Sequence, residues 1–166
     1  MTVTEFASDC ARCAALCCIM PAFDKGSAFA IDKPAGLPCP NLSGHRCRIH
    51  ADLIAQGFAG CARYDCLGAG QIATALFDAS WRDEPGLAVP MAEAFRRLRE
   101  VQDMRAQLAA ALAHARDDDD LARDIAALAS RLAPGWTRAS LQGFDLGAAR
   151  AAFRDIVARL RDLVTA

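Results

Sequence analysis

Residues 10–18 read Cys10-Ala11-Arg12-Cys13-Ala14-Ala15-Leu16-Cys17-Cys18, four thiols in nine residues. The other four of the eight cysteines follow at Cys39, Cys47, Cys61 and Cys66, and none occurs from Leu67 to Ala166. Inert thiols acting as small core residues would be scattered over the apolar positions of the whole chain. Disulfides are rare in a reducing cytosol, where clustered cysteines more often bind metal or do redox chemistry. The clustering predicts that the first 66 residues fold around thiolate-bound metal, with disulfides and inert thiols as the alternatives.

The spacing within 10–18 suggests how the thiols converge. Thr2 and Glu5 stand at capping-box spacing, so a helix is expected from about Glu5 to Met20, ending at Pro21. On that helix Cys10, Cys13 and Cys17 share one face. Cys18 is turned away by about 100°; it helps the same site only if the helix ends early, and otherwise serves a second site or packs as a small apolar residue. A fourth ligand for the first site would come from Cys61 or Cys66, and eight thiolates suffice for two four-ligand sites. Structural zinc favours two short knuckles, of which Cys10 to Cys13 is one and Cys61 to Cys66 a loose other. Iron–sulfur clusters, a 4Fe–4S cluster among them, accept a tight local triple with a distant fourth cysteine. Soft thiolates suit both; zinc and iron–sulfur stay open, the spacing leaning to iron–sulfur. His50, close after Cys47, reads as a capping or surface residue rather than a ligand, and His45 and His114 as solvated.

Outward from the cysteines, residues 24–43 read as loop, with at most a short strand at Ala28 to Asp32. A short helix is expected over Ile49 to Gln56, stopping at Gly57. Gly68-Ala69-Gly70 reads as a turn before a helix through Ile72 to Phe77; the third glycine of a dinucleotide loop is missing. The chain divides near Trp81 to Pro90. Beyond it Met91, Phe95, Leu98, Val101, Leu108 and Leu112 step at three and four, with Arg105 interrupting, in a long amphipathic helix. Asp117 to Asp120 form an acidic break that favours the start of a helix carrying Leu121, Ile125, Leu128 and Leu132, which stops before Pro134. Asp145 is placed to cap a last helix with Leu146, Phe153, Val157, Leu160 and Val164. The fold class is mainly α: an irregular cysteine-rich metal module over 1–82 packed on a helical bundle over 83–166, together one compact unit.

Composition narrows the function. The 166 residues are 54% hydrophobic and 23% charged, with net charge −1, an ordinary globular balance. No basic excess points to nucleic acid or a membrane surface. No apolar run approaches the roughly 20 residues of a bilayer span. Glu5 and Asp9 stand where a secretory signal would carry Lys or Arg, so the expected location is cytoplasmic. No nucleophile elbow, P-loop or paired-histidine zinc motif occurs. Asp24, Asp32, Asp52 and Asp65 read as surface or capping carboxylates, with Tyr64-Asp65 beside Cys66 as neighbours that could orient a metal ligand. No catalytic residue is identified.

The run Cys10-Ala-Arg-Cys13-Ala-Ala-Leu-Cys17-Cys18, with Gly36-Leu-Pro-Cys39-Pro-Asn-Leu and Arg46-Cys47-Arg-Ile-His50, resembles the YkgJ-type family. That family is described as a zinc- or iron-chelating domain and is named for its CxxCxxCC motif. This chain has one extra residue before Cys17-Cys18 and lacks the Arg-Pro that often follows the family's Cys-x-Ile segment. The run Gly57-Phe-Ala-Gly-Cys61-Ala-Arg-Tyr-Asp-Cys66-Leu-Gly-Ala-Gly-Gln71, followed by Trp81-Arg82, is more similar still to the N-terminal module of certain bacterial pentapeptide-repeat proteins. No such repeats are present here. Flagellin lysine methylases contain a related cysteine cluster. The resemblance implies metal binding through Cys10, Cys13, Cys17, Cys18, Cys39, Cys47, Cys61 and Cys66. Two further readings stand beside it: a metal-dependent protein- or peptide-modifying enzyme, and a zinc-stapled interaction module whose helical half binds a protein partner.

Overall fold

The computed structural model describes residues 6–115, 118–133 and 135–165 of the chain. The capping box expected at Thr2 and Glu5, and the helix stop at Pro134, lie outside them. The helix expected over residues 5–20 does not form. A 3-10 turn over Cys10–Arg12 gives way to extended backbone at Cys13, then to a left-handed Ala15 (φ 58°), and only Leu16–Ile19 is α-helical (α1). The reason is competition for the backbone. The Ala14 amide donates to Thr74 Oγ1 (3.0 Å), and the Ala14 carbonyl accepts the Trp81 indole N–H (2.7 Å). Groups that a helix would pair internally are satisfied by side chains about sixty residues away, so the helix gains nothing by continuing.

The rest of the unit Ala7–Arg99 is equally irregular. A two-residue antiparallel hairpin pairs β1 (Leu42–Ser43) with β2 (Arg46–Cys47), Leu42 opposite Cys47. At Ala28 to Asp32, where at most a short strand was expected, none forms; a single bridge pairs Phe23 with Lys33 on either side of it. A 3-10 turn at His50–Asp52 stands where a helix was expected, and the chain turns at Gly57 (φ 80°). Two short helices follow, α2 (Ala59–Arg63) and α3 (Ala69–Thr74). Buried Leu16, Ile19, Phe23, Phe58, Met91, Phe95 and Leu98 form the apolar interior of this unit.

The second half follows its periodicity. α4 (Ala88–Ala111) is the long helix, with Pro90 in its first turn where the missing N–H costs nothing. Its expected stripe holds except at two places. Leu112 lies just past the helix and is exposed. Arg105 is buried, its Nη1 donating to Gln102 Oε1 at 2.6 Å and its guanidinium lying 5.3 Å from the centre of the Phe6 ring. The second compact unit contains Glu100–Ala166 and Phe6. Asp118 caps α5 (Asp119–Arg131), accepting from Leu121 N at 2.8 Å, as the acidic run implies. A short helix, α6 (Arg138–Gly143), was not expected; it starts from a reciprocal capping box of Thr137 and Ser140. Asp145 accepts from Ala148 N and opens α7 (Leu146–Thr165). Val101, Met104, Leu108, Leu121, Ile125, Leu128, Leu132 and Ile156 make a continuous core, each large side chain stabilising by about 2 kcal/mol on burial. The architecture is mainly α, and no helix among the described residues is long and apolar enough to cross a membrane.

Candidate metal centre

Residues 7–14 are held against α3 by one side chain after another. Gln71 accepts from the Asp9 amide (3.1 Å) and donates to the Ala7 carbonyl (2.8 Å). Thr74 accepts from Ala14 N and donates to the Gly70 carbonyl (2.9 Å). Asp9 in turn accepts from Ala11 N and Arg12 Nε, shaping the turn at Cys10. Gly70 sits inside α3, where an alanine would favour the helix by about 1 kcal/mol. Its bareness has a local cause: a Cβ there would stand 2.7 Å from the Cys13 sulfur and 3.6 Å from the Cys66 sulfur. Reading Gly68 to Gly70 as a turn was half right. Gly68 (φ 82°) makes the turn, and Gly70 makes room for two thiols.

Cys66 is fixed by its neighbours. Ser8 Oγ donates to Asp65 Oδ1 (2.6 Å) and lies 3.0 Å from the Cys66 sulfur, while Asp65 also accepts from Leu67 N. Leu67 is left-handed (φ 52°). The non-glycine residues with positive φ among those described, Ala15 and Leu67, thus both lie within two residues of a cysteine. Such conformations cost about 1 kcal/mol or more and persist where the surroundings over-determine them.

The other thiols are gathered by a different framework. Cys39 N donates to the Cys18 carbonyl at 3.0 Å, and Leu42 N donates to the Cys39 carbonyl, leading into the hairpin that carries Cys47. Cys61 rides on α2, which is tied down where Gly60 N donates to the Ala28 carbonyl (2.9 Å) and the Phe29 ring covers Gly60. Phe29 stacks on Phe23 at 4.3 Å. Beneath them Lys33 is buried, its ammonium donating to the carbonyls of Ile19, Pro34 and Leu37 at 2.9–3.1 Å. Sequence reasoning passed over Lys33; an isolated lysine in a loop gives no sign of being buried.

A cavity of about 940 Å³ opens onto seven of the eight cysteines, all but Cys66. Cys66 joins Cys10, Cys13 and Cys17 around a small adjoining cleft of about 20 Å³, bordered by Ser8 and Gly70. No thiol is in a disulfide. Burial pushes the thiols of Cys10, Cys13 and Cys47 above their usual range, and Cys61 up to about 11. Between the adjacent pair, the hydrogen bond from Cys17 to Cys18 raises Cys17 and lowers Cys18, the Lys33 charge helping to lower Cys18. His45, expected to be solvated, lines the cavity; its Nε2 is buried with no hydrogen-bond partner among the described residues, and its ring meets Trp81 edge-on at 6.2 Å. His50 also borders the cavity but is exposed, and His114 is exposed in the turn after α4.

Among the described residues, no three His, Cys, Asp or Glu side chains are drawn into an assembled coordination sphere. The donor set nevertheless fits a soft metal: eight thiols bordering two connected spaces, a glycine that leaves room for two sulfurs, and a buried ammonium to offset thiolate charge. No protein-family model and no solved structure matches the chain. Over 103 residues it is 38% identical to "Uncharacterized protein YybG" of Bacillus subtilis (strain 168), a match covering 60% of this chain and 37% of that protein. The chain therefore spans little more than a third of the length of that relative.

Proposed function

We propose that this chain is a cytoplasmic metal-binding protein of YkgJ-like type, holding an iron–sulfur cluster or zinc through its clustered cysteines. The observation that carries the reading is convergence. Thiols spread over residues 10–66 all border one cavity and its adjoining cleft, although no long helix brings them there. Packing alone would not require it, since buried structural thiols sit singly among apolar side chains. Bound zinc would close the fold, whereas a cluster would add electron-transfer capacity. The test is expression with ample iron and zinc, anaerobic purification, then metal analysis and a visible spectrum. Stoichiometric zinc in colourless protein, or iron with sulfide in brown protein, is the expected outcome; folded protein with neither rejects the reading.

A second reading, a metal-dependent protein- or peptide-modifying enzyme, draws on the width of the cavity. About 940 Å³ is far more than a metal ion fills and matches the size of a small-molecule or side-chain pocket. Met20, Pro21, Phe23, Phe58 and Ala92 give it an apolar lining. The interaction-module reading gains less: Val89 is exposed on α4, but one exposed apolar side chain is ordinary.

A further inference from the structure

We propose that the eight cysteines form two separate four-sulfur metal centres, one on Cys10, Cys13, Cys17 and Cys66, the other on Cys18, Cys39, Cys47 and Cys61. This rests on the metal-binding reading and fixes how the ligands are shared.

The first set is defined by the cleft. Its cysteines are Cys10, Cys13, Cys17 and Cys66, with no member of the second set. The sulfurs of Cys13 and Cys66 lie within 3.6 Å of the point where a Gly70 methyl would be. Ser8 and Gln71 tie both ends of the set, Ser8 reaching Cys66 and Gln71 reaching the turn at Cys10.

The second set is the cavity's remaining thiols, Cys18, Cys39, Cys47 and Cys61. Cys39 N donates to the Cys18 carbonyl, Leu42 N donates to the Cys39 carbonyl, and Cys47 stands across the hairpin from Leu42. The Lys33 ammonium is held beside them by the carbonyls of Ile19, next to Cys18, and Leu37, two residues before Cys39. Four thiolates around Zn²⁺, or around a 4Fe–4S cluster, carry a net charge of about −2. A buried ammonium whose three donors go to carbonyls offsets that charge without itself being a ligand.

Cys17 and Cys18 are the seam. Both lie in α1, Cys17 bordering the cleft and the cavity, Cys18 the cavity alone. Adjacent residues placed this way can each serve one of two neighbouring ions. The doubled cysteine is thereby explained as the shared wall of two centres.

Metal-free full-length protein titrated anaerobically with Zn²⁺ alone, followed by native mass spectrometry, should take up two equivalents. Cys13→Ser/Cys66→Ser and Cys39→Ser/Cys61→Ser should each take up one, and the fourfold variant none. Wild-type protein binding one equivalent overturns the two-centre assignment but leaves the metal reading standing; binding none overturns both. Because a paired variant can fail to fold, the wild type supplies an independent readout. Stepwise chelation with alkylation and peptide mapping should expose thiols in two groups of four, divided as above. Release of all eight together, or Cys66 reacting in step with Cys39, overturns the proposal.

Discussion

The two units of this chain are stabilised in opposite ways. The helical unit from Glu100 onward owes its structure to local pattern: apolar residues at three- and four-residue steps, aspartates or a threonine at helix starts, and a core of leucines and isoleucines. The unit Ala7–Arg99 has helices of at most six residues before α4, and its backbone is held by side chains reaching 60 to 67 positions along the chain. Local pattern suffices where a helix buries its own stripe. Where the elements are too short to do so, the metal proposed for the cysteines would supply folding free energy.

That contrast is broken most severely by removing the metal. Chelation should abolish amide-exchange protection across residues 10–66 while α5 and α7 keep theirs; unchanged protection in both units after complete metal loss would erase the distinction. Acid should act in the same direction. Burial raises Cys10, Cys13, Cys47 and Cys61 above the normal thiol range, so near neutral pH they carry protons that metal must displace. Affinity therefore falls with falling pH, by about tenfold per unit for each thiol that must be deprotonated. A pH-independent Zn²⁺ affinity between pH 6 and 8 would contradict this.

The helical unit is sensitive to its core instead. Leu121→Ala, at a fully buried position, should cost about 3 kcal/mol in denaturant unfolding and leave metal content unchanged. Loss of metal in that variant would mean the two units are not energetically distinct. Gly70→Ala tests the sulfur cradle: it should improve the helix yet weaken Zn²⁺ binding about tenfold, as loss of a supporting neighbour does. Unaltered affinity would show that the room beside Cys13 and Cys66 is incidental. Trp81→Phe removes the indole bond to the Ala14 carbonyl and should cost about 1 kcal/mol, seen as a lowered midpoint for the cysteine-bearing unit alone.

The same contrast governs what could be read from the sequence. α4, α5 and α7 are legible because their periodicity is long and Asp118 and Asp145 mark two of their starts. The helix expected over residues 5–20 was not, because its competitors, Thr74 and Trp81, are about sixty residues away and no local signal announces them. Cys10, Cys13 and Cys17 nevertheless border one cleft, brought there by a turn and an extended residue rather than by a helical face. Cys66, one of two fourth members considered, is there through Ser8, Asp65 and Gly70, a set of contacts that spacing cannot express. The burial of Arg105, read only as an interruption of the stripe, and of Lys33, passed over, was not legible for the same reason: the partners that make a buried charge tolerable are supplied by the fold.

Whether these thiols fold around metal, as proposed, is decided by weighing the protein, purified anaerobically, under native and then denaturing conditions. The native mass should exceed the denatured mass by whole numbers of zinc ions or iron–sulfur clusters, with eight free thiols appearing on denaturation. Equal masses in the two conditions, for protein that is folded across residues 10–66, would contradict it.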